Sequence, residues 1–239
     1  MNDQLIIDLG MNTAQDTRFY LRKGFRVVGV EANPMLAEEV SRQFVSEITA
    51  GRLVVENIGV GPQRGEFNFW VNHTHHEWSS FHEDIGSRGG AFHVIRVATV
   101  PLADLIQRHG VPHYLKVDIE GMDLTVLKAL HDFSERPRYV SVETGPGLKW
   151  LDELDRLGYQ RFKLIDQRLV PEQLPPDPAR EGAYVPAVFE WGSTGLFGDE
   201  LPGMWCSVDE LRSQWMQVLE SPGEGNPLWY DIHACRDQA

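Results

Sequence analysis

From residue 5 to residue 165 the chain alternates short apolar runs with longer stretches of helical period, and this rhythm restricts the fold more than any other feature. Leu5 to Leu9 reads as a buried strand, and Ala14 to Lys23 as a helix with Thr13 and Asp16 at capping-box spacing and Gly24 as its stop. Arg26 to Glu31 is a second strand. Asn33 and Pro34 then have the character of an N-cap and a first-turn residue, opening a helix that reaches about Ile48, and Leu53 to Asn57 makes a third strand. Glu66 to Val71 and Val94 to Val100 instead alternate like antiparallel strands around a polar, Gly- and His-rich stretch from Asn72 to Gly90. The first rhythm then resumes. Pro101 to His109, Gly121 to His131 and Leu148 to Leu157 read as helices, and Tyr114 to Ile119, Tyr139 to Glu143 and Arg161 to Ile165 as strands. Such repetition predicts an α/β fold: a Rossmann-like, doubly wound, mostly parallel sheet with helices on both faces and an antiparallel insertion over residues 62–100.

Beyond Val170 the pattern fades into Pro-rich and then Gly- and Trp-rich sequence, with one amphipathic helix at about Ser207 to Leu219. This part holds Trp191, Trp205, Trp215 and Trp229, and from Glu181 onward only Arg212 and Arg236 stand against ten acidic residues. A net charge of −13 repels phosphate backbones, so nucleic acid is not an expected partner. Cys206 and Cys235 form neither a disulfide framework nor a CxxC metal site. The opening MNDQLIIDLG has no basic, long-apolar leader and no run approaches a membrane span, so the expected location is cytoplasmic.

In open parallel sheets, ligands sit beyond the carboxyl ends of the strands near the switch point. Asp8, Gly10, Met11 and Asn12 fall at the end of the first strand, where glycine admits a close backbone approach and Asp8 can order the loop or reach an amino group. Glu31 ends the second strand, where a carboxylate can accept both hydroxyls of a ribose. A dinucleotide needs phosphate glycines at a helix N-terminus, and the loop Gly10 to Gln15 has a single glycine; no GxxxxGK[ST] loop exists either. A ligand with a ribose and no phosphate fits better, and S-adenosylmethionine is the common one. On this reading residues 1–170 form the cofactor-binding domain and 171–239 a lid or capping extension of it. Removing everything after Val170 is then expected to abolish acceptor turnover while sparing cofactor binding. An NAD-dependent oxidoreductase on the same sheet and a non-catalytic nucleotide-binding module are the competing readings.

Five ordered motifs resemble the FkbM family of S-adenosylmethionine-dependent methyltransferases. Asp8, Gly10, Asn12 and Thr17 stand in register with its opening D-x-G-A-N-x-G-x-x-T, with Met11 for the usual Ala and Ala14 for the usual Gly. Glu31-Ala32-Asn33-Pro34 is similar to its E-P/A-N-P element, and Asn57-Ile58-Gly59-Val60 to the step after strand three. Ser79-Ser80 match a paired serine, followed by Phe81 where Leu is usual. Lys116, Asp118, Glu120, Gly121 and Asp123 resemble K-x-D-x-E-G-x-E, and Arg136 to Glu143 and Gly158-Tyr159 also match. The resemblance implies methyl transfer to a hydroxyl of a sugar, polyketide or related small molecule. It implies cofactor contacts from Asp8, Gly10, Met11, Asn12, Thr17, Glu31, Ala32, Asn33, Ile58, Gly59, Ser79, Ser80 and Asp118.

An attacking alcohol must shed a proton, which a carboxylate or imidazole can accept. Strand alternation would put Asp118 and Glu120 on one face beside the cleft, making Asp118 the first candidate and Glu143 a second. His76, one of four histidines between His73 and His82, is a candidate base. No metal is assigned, because adjacent loop histidines suit a preformed cage poorly, although Asp118 and Glu143 are compatible with Mg²⁺. Gly192 to Gly203 is expected to form a lid or acceptor pocket, and the aromatic end segment would serve a homodimer interface as readily.

Overall fold

The computed structural model describes residues 2–220 and 228–236. The strands are β1 (Asn2–Leu9), β2 (Arg26–Val30), β3 (Leu53–Glu56), β4 (Gly59–Val60), β5 (Gly65–Asn72), β6 (Phe92–Val100), β7 (Pro112–Val117), β8 (Tyr139–Thr144), β9 (Arg161–Asp166) and β10 (Tyr230–Cys235). The helices are α1 (Gln15–Arg22), α2 (Pro34–Gln43), α3 (Val45–Thr49), α4 (Glu83–Gly86), α5 (Leu102–His109), α6 (Asp123–Ala129), α7 (Lys149–Arg156) and α8 (Val208–Glu220).

Seven strands make one sheet in the order β3-β2-β1-β7-β8-β10-β9, and β4-β6-β5 make a second, smaller one. Pairing from β3 through β8 is parallel, while β10 runs antiparallel to both β8 and β9. The fold is the Rossmann-like doubly wound sheet expected. It departs from the 3-2-1-4-5-6 order of dinucleotide folds by inserting an antiparallel strand before the last. Strand alternation divides the core. Leu5, Ile7 and Leu9 of β1 face the layer of α5, α6, α7 and α8, and Ile6 faces the layer of α1 and α2. The insertion is antiparallel as its alternation predicts, β5 pairing with β6 from Gly65↔Thr99 to Asn72↔Phe92.

Local differences have physical causes. Asn33 caps α2, accepting from Met35 N at 3.1 Å with Pro34 in the first turn, but the helix expected to run to Ile48 breaks at Phe44 into α2 and α3. The capping box proposed for Thr13 and Asp16 is absent, because Ala14 is the N-cap in a left-handed conformation (φ 64°) and no side chain caps α1. The carboxylate of Asp16 instead accepts from the amides of Thr194 (3.0 Å) and Gly195 (3.2 Å).

That contact ties the C-terminal part to α1. Ser193 to Phe197 lies in the core rather than over it: Phe197 is buried and stacks on Tyr114 of β7 at 4.6 Å and 2°. The buried Lys23 Nζ pairs with Glu200 at 2.9 Å. Tyr230 to Cys235, where periodicity alone names no strand, threads between β8 and β9. Cys206 and Cys235 are both free thiols. No helix among the described residues is long and apolar enough to cross a membrane.

Candidate active site

The chain leaves β1 for β2 on one side and returns to β7 on the other, so the carboxyl ends of β1 and β7 splay apart at the switch point. A cleft opens there, about 790 Å³ when the open solvent at its mouth is counted. Gly10, Met11 and Asn12 after β1, Glu31 and Ala32 after β2, and Ile58 and Gly59 after β3 form one wall; Lys116, Asp118 and Glu120 form the opposite one. His76, Ser79 and Phe81 approach from the insertion, and Gly192 from the C-terminal part.

Gly10 fits this place because of its backbone. Its φ is +80°, and a Cβ built on it would lie 1.7 Å from the carbonyl oxygen of Asp118. The two loops therefore meet main chain to main chain. Asn12 (φ 52°), Ala14 (φ 64°) and Glu120 (φ 42°) also adopt left-handed conformations that non-glycine residues seldom take, and all belong to loops bounding the cleft. Such outliers persist only where surrounding structure holds them, and they concentrate at ligand sites. Ala14 occupies the position where the family pattern has Gly, which is the residue suited to that φ.

Glu31 is held as a clamp. Its Oε2 accepts from Asn12 N and its Oε1 from Asn33 N, both at 2.8 Å. A carboxylate has about four acceptor sites, so each oxygen keeps one beyond its amide partner, and Glu31 lines the cleft. Burial pushes its carboxyl up to about 7, against the lowering effect of those two amides.

Below the loop lies a buried ionic network. Lys116 Nζ lies 3.2 Å from Asp8 Oδ1, 3.3 Å from Asp118 Oδ2 and 4.0 Å from Asp16 Oδ2, and it donates to Gly10 O at 3.2 Å. Burial works against its charge, but Asp8, Asp118 and Asp16 outweigh that and hold it protonated. Asp8 is fully buried and accepts from Thr17 Oγ1 at 2.6 Å. Both are fully buried, and neither is among the residues lining the cleft. They lock β1, α1 and Lys116 together. Asn33 likewise acts through Glu31 and the cap of α2, and Ser80 donates to Glu120 O at 2.6 Å from a buried position. None of these four lines the cleft, where the motifs imply cofactor contacts for them; each reaches it through a neighbour.

Asp118 and Glu120 do not share a strand face as alternation predicts. β7 ends at Val117, and the left-handed turn at Glu120 brings the two together instead. Asp123 closes that turn by accepting from Ile119 N and Gly121 N, each at 3.0 Å. One carboxylate oxygen from each of Asp118, Glu120 and Glu143 lies within 4.8 Å of the others. Burial and then the charge of Asp118 push Glu120 up to about 8, and the same causes hold Glu143 well above the usual carboxylate range. His76 is half exposed, with Nδ1 3.7 Å from Glu77 Oε2.

Sequence reasoning missed Asp16, although it sits in the first turn of α1 where the phosphates of a dinucleotide would lie. It lines the cleft, and burial pushes its carboxyl up to about 6. An anion there repels pyrophosphate and suits a cationic group. Lys116 belongs to the K-x-D-x-E-G motif, but nothing local in sequence says that it neutralises three aspartates.

The sequence pattern of the methyltransferase FkbM domain family matches residues 8–161. No curated protein matches the chain. Among solved structures, one titled methyltransferase FkbM from Methylobacillus flagellatus KT is similar at 18% identity and TM-score 0.46, covering 69% of this chain. This chain spans only 40% of that one's length. A precorrin-6y C5,15-methyltransferase from Geobacter metallireducens GS-15 aligns at 10% identity and TM-score 0.43, over 99% of this chain and 82% of its own. A SAM-dependent methyltransferase from Archaeoglobus fulgidus aligns at 9% identity and TM-score 0.41, over 98% and 86%. Likenesses this distant carry no argument about chemistry.

Proposed function

The chain belongs to the methyltransferase FkbM domain family, and from that premise we propose that it transfers a methyl group from S-adenosylmethionine to a hydroxyl of a small-molecule acceptor such as a sugar, glycan or polyketide-like compound. The observation that carries the reading is the pairing, in one cleft, of the Glu31 clamp with the carboxylates Asp16 and Asp118. Ribose hydroxyls donate to the remaining acceptor sites of Glu31. Asp16 and Asp118 supply negative charge for the cationic parts of the donor, with Lys116 limiting their repulsion. An NAD-type pyrophosphate would meet Asp16 and a loop with one glycine, which disfavours the oxidoreductase alternative.

The bound donor offers an electrophilic methyl carbon on a sulfonium. The acceptor oxygen forms the new bond to that carbon as the carbon–sulfur bond breaks, the electron pair staying on sulfur to leave S-adenosylhomocysteine. The protein's part is alignment and proton removal. Asp118, with a side chain 36% exposed at the cleft wall, accepts the hydroxyl proton. His76 is the second candidate for that role. The Ile58–Gly59 corner and Phe81 supply an apolar wall for the adenine; Gly59 leaves room for the Phe81 ring, which a Cβ would meet at 2.3 Å.

The test is transfer of labelled methyl from S-adenosylmethionine to a panel of sugars and hydroxylated polyketide-like acceptors, with wild type and Asp118→Asn. Label on an acceptor oxygen, with the variant slower by about 10²–10⁴-fold, is the expected result. Label found only on nitrogen or carbon would overturn the hydroxyl assignment, and an undiminished kcat in the variant would overturn the role of Asp118.

A further inference from the structure

We propose that Asp16 receives the ammonium group of the donor's methionine moiety and thereby ties donor binding to the C-terminal wall of the cleft, an inference that rests on the methyltransferase reading above. Two roles meet on this carboxylate. It lines the cleft from the first turn of α1. It also accepts from Thr194 N (3.0 Å, at Oδ2) and Gly195 N (3.2 Å, at Oδ1), in the segment whose Gly192 lines the same cleft. A carboxylate has about four acceptor sites, so each oxygen keeps one beyond its amide partner. Lys116 Nζ, 4.0 Å from Oδ2, is too far away to fill one with a hydrogen bond. The pattern D-x-G-A-N-x-G-x-x-T leaves position 16 open, so the aspartate is a feature of this chain.

The alternatives are committed. Asp8 ends β1, where the sequence admits contact with an amino group. It is fully buried, accepts from Thr17, pairs with Lys116 at 3.2 Å and does not line the cleft. The carbonyl of Gly10, another acceptor for an ammonium, already receives Lys116 Nζ at 3.2 Å. Glu31 serves the ribose. Asp118 and Glu120 belong to the opposite wall, where the reading above places proton removal. Three aspartates surround Lys116, and it lies nearer Asp8 and Asp118 than Asp16. Asp16 is the one of the three left short of a counter-charge.

An ammonium at Asp16 favours the ionised carboxylate, which burial disfavours. Hydrogen bonds to a charged acceptor are about twice as strong as those to a neutral one, so the same event tightens both amides of the C-terminal segment. Farther along, that segment is anchored away from Asp16: Leu196 N donates to Gln173 Oε1 at 2.9 Å, and Phe197 stacks on Tyr114. The polar ties from α1 to the residues just before it, Gln15 to Glu190 and Arg22 to Pro186, are exposed. Asp16 is therefore a buried link through which donor occupancy fixes the wall at Gly192. By reciprocity, the segment raises the affinity for the donor.

The test is calorimetric titration of the intact protein and of Asp16→Asn with two ligands: S-adenosylhomocysteine, and its deamino analogue, which keeps the ribose, thioether and carboxylate and lacks only the ammonium. Wild type is expected to bind the analogue about tenfold to a hundredfold more weakly, the range for a hydrogen bond to a charged group. Asp16→Asn should lose as much affinity for S-adenosylhomocysteine and little for the analogue. Hydrogen exchange at the Thr194 and Gly195 amides, followed by NMR at saturation, is expected to slow by about tenfold or more with S-adenosylhomocysteine and not with the analogue. That readout in wild type decides the matter even if Asp16→Asn does not fold. Equal affinity of wild type for the two ligands overturns the proposal. So does an equal loss for both in folded Asp16→Asn, or exchange that the two ligands slow alike. Binding of neither ligand to wild type strikes the underlying reading instead.

Discussion

Replacing Gly10 with alanine is expected to cost about 3–5 kcal/mol of stability and to abolish binding of S-adenosylhomocysteine. Two effects add. A non-glycine residue at φ +80° is strained by about 1–3 kcal/mol. The new methyl would also lie 1.7 Å from the Asp118 carbonyl, a backbone atom held by the amide of Asp118 donating to Leu9 O at 3.1 Å. Relief would push apart the β1 and β7 loops, which carry opposite walls of the cleft. Gly24→Ala is the control: its φ is +95°, but nothing lies within 4 Å of a methyl placed there, so it bears the strain without the clash. Thermal melts of both variants separate the two effects, with Gly10→Ala falling by roughly 10 °C or more at about 2–4 °C per kcal/mol. Equal melting temperatures would mean that the loops yield and the cleft is not tightly set.

Truncation after Val170 is expected to leave a chain without a cooperative unfolding transition and without cofactor affinity. The strand β10 lies between β8 and β9, so its removal strands two rows of backbone hydrogen-bonding groups inside the sheet. The same cut removes Phe197 from its stack on Tyr114, buried Trp215, and Glu200, whose loss leaves Lys23 buried without its carboxylate. Breaking a buried pair of that kind alone costs about 3–5 kcal/mol. Circular dichroism and calorimetry on the truncated chain would check this. A folded, cofactor-binding truncation would instead restore the expectation of a detachable lid.

These cases mark how far the sequence is legible. Signals contained within one element are read directly: the Asn33 cap with Pro34 behind it, the alternation of β5 and β6, the strand ends at Asp8 and Glu31, and the Lys116 to Asp123 motif. Signals that depend on distant pairing are not. The run Tyr230 to Cys235 contains Asp231 and His233, polar residues that argue against a central strand; only its neighbours, nearly 70 and 90 positions upstream, make it one. Asp8 and Thr17 look like ligand contacts in a linear motif, yet the packing of α1 buries them and neither lines the cleft. Asp16 looks like a helix-cap residue until residues 194 and 195 arrive to donate to it. The three left-handed residues are invisible to periodicity, since nothing about Asn12, Ala14 or Glu120 demands a positive φ until both loops are in place.

The central claim is that Glu31 clamps the ribose of S-adenosylmethionine in this cleft, and calorimetric titration of S-adenosylhomocysteine across pH tests it most directly. Burial raises the Glu31 carboxyl to about 7, so below that pH it is protonated in the free protein and has to lose its proton to accept both hydroxyls. Affinity should therefore rise with pH, by up to about tenfold per unit below the midpoint, and level off above it. Glu31→Gln should bind weakly and without that dependence, the difference between the two curves isolating Glu31 from Asp16. NAD should produce no heat. A pH-independent affinity that Glu31→Gln leaves unchanged, or binding of NAD in place of S-adenosylhomocysteine, would contradict the account.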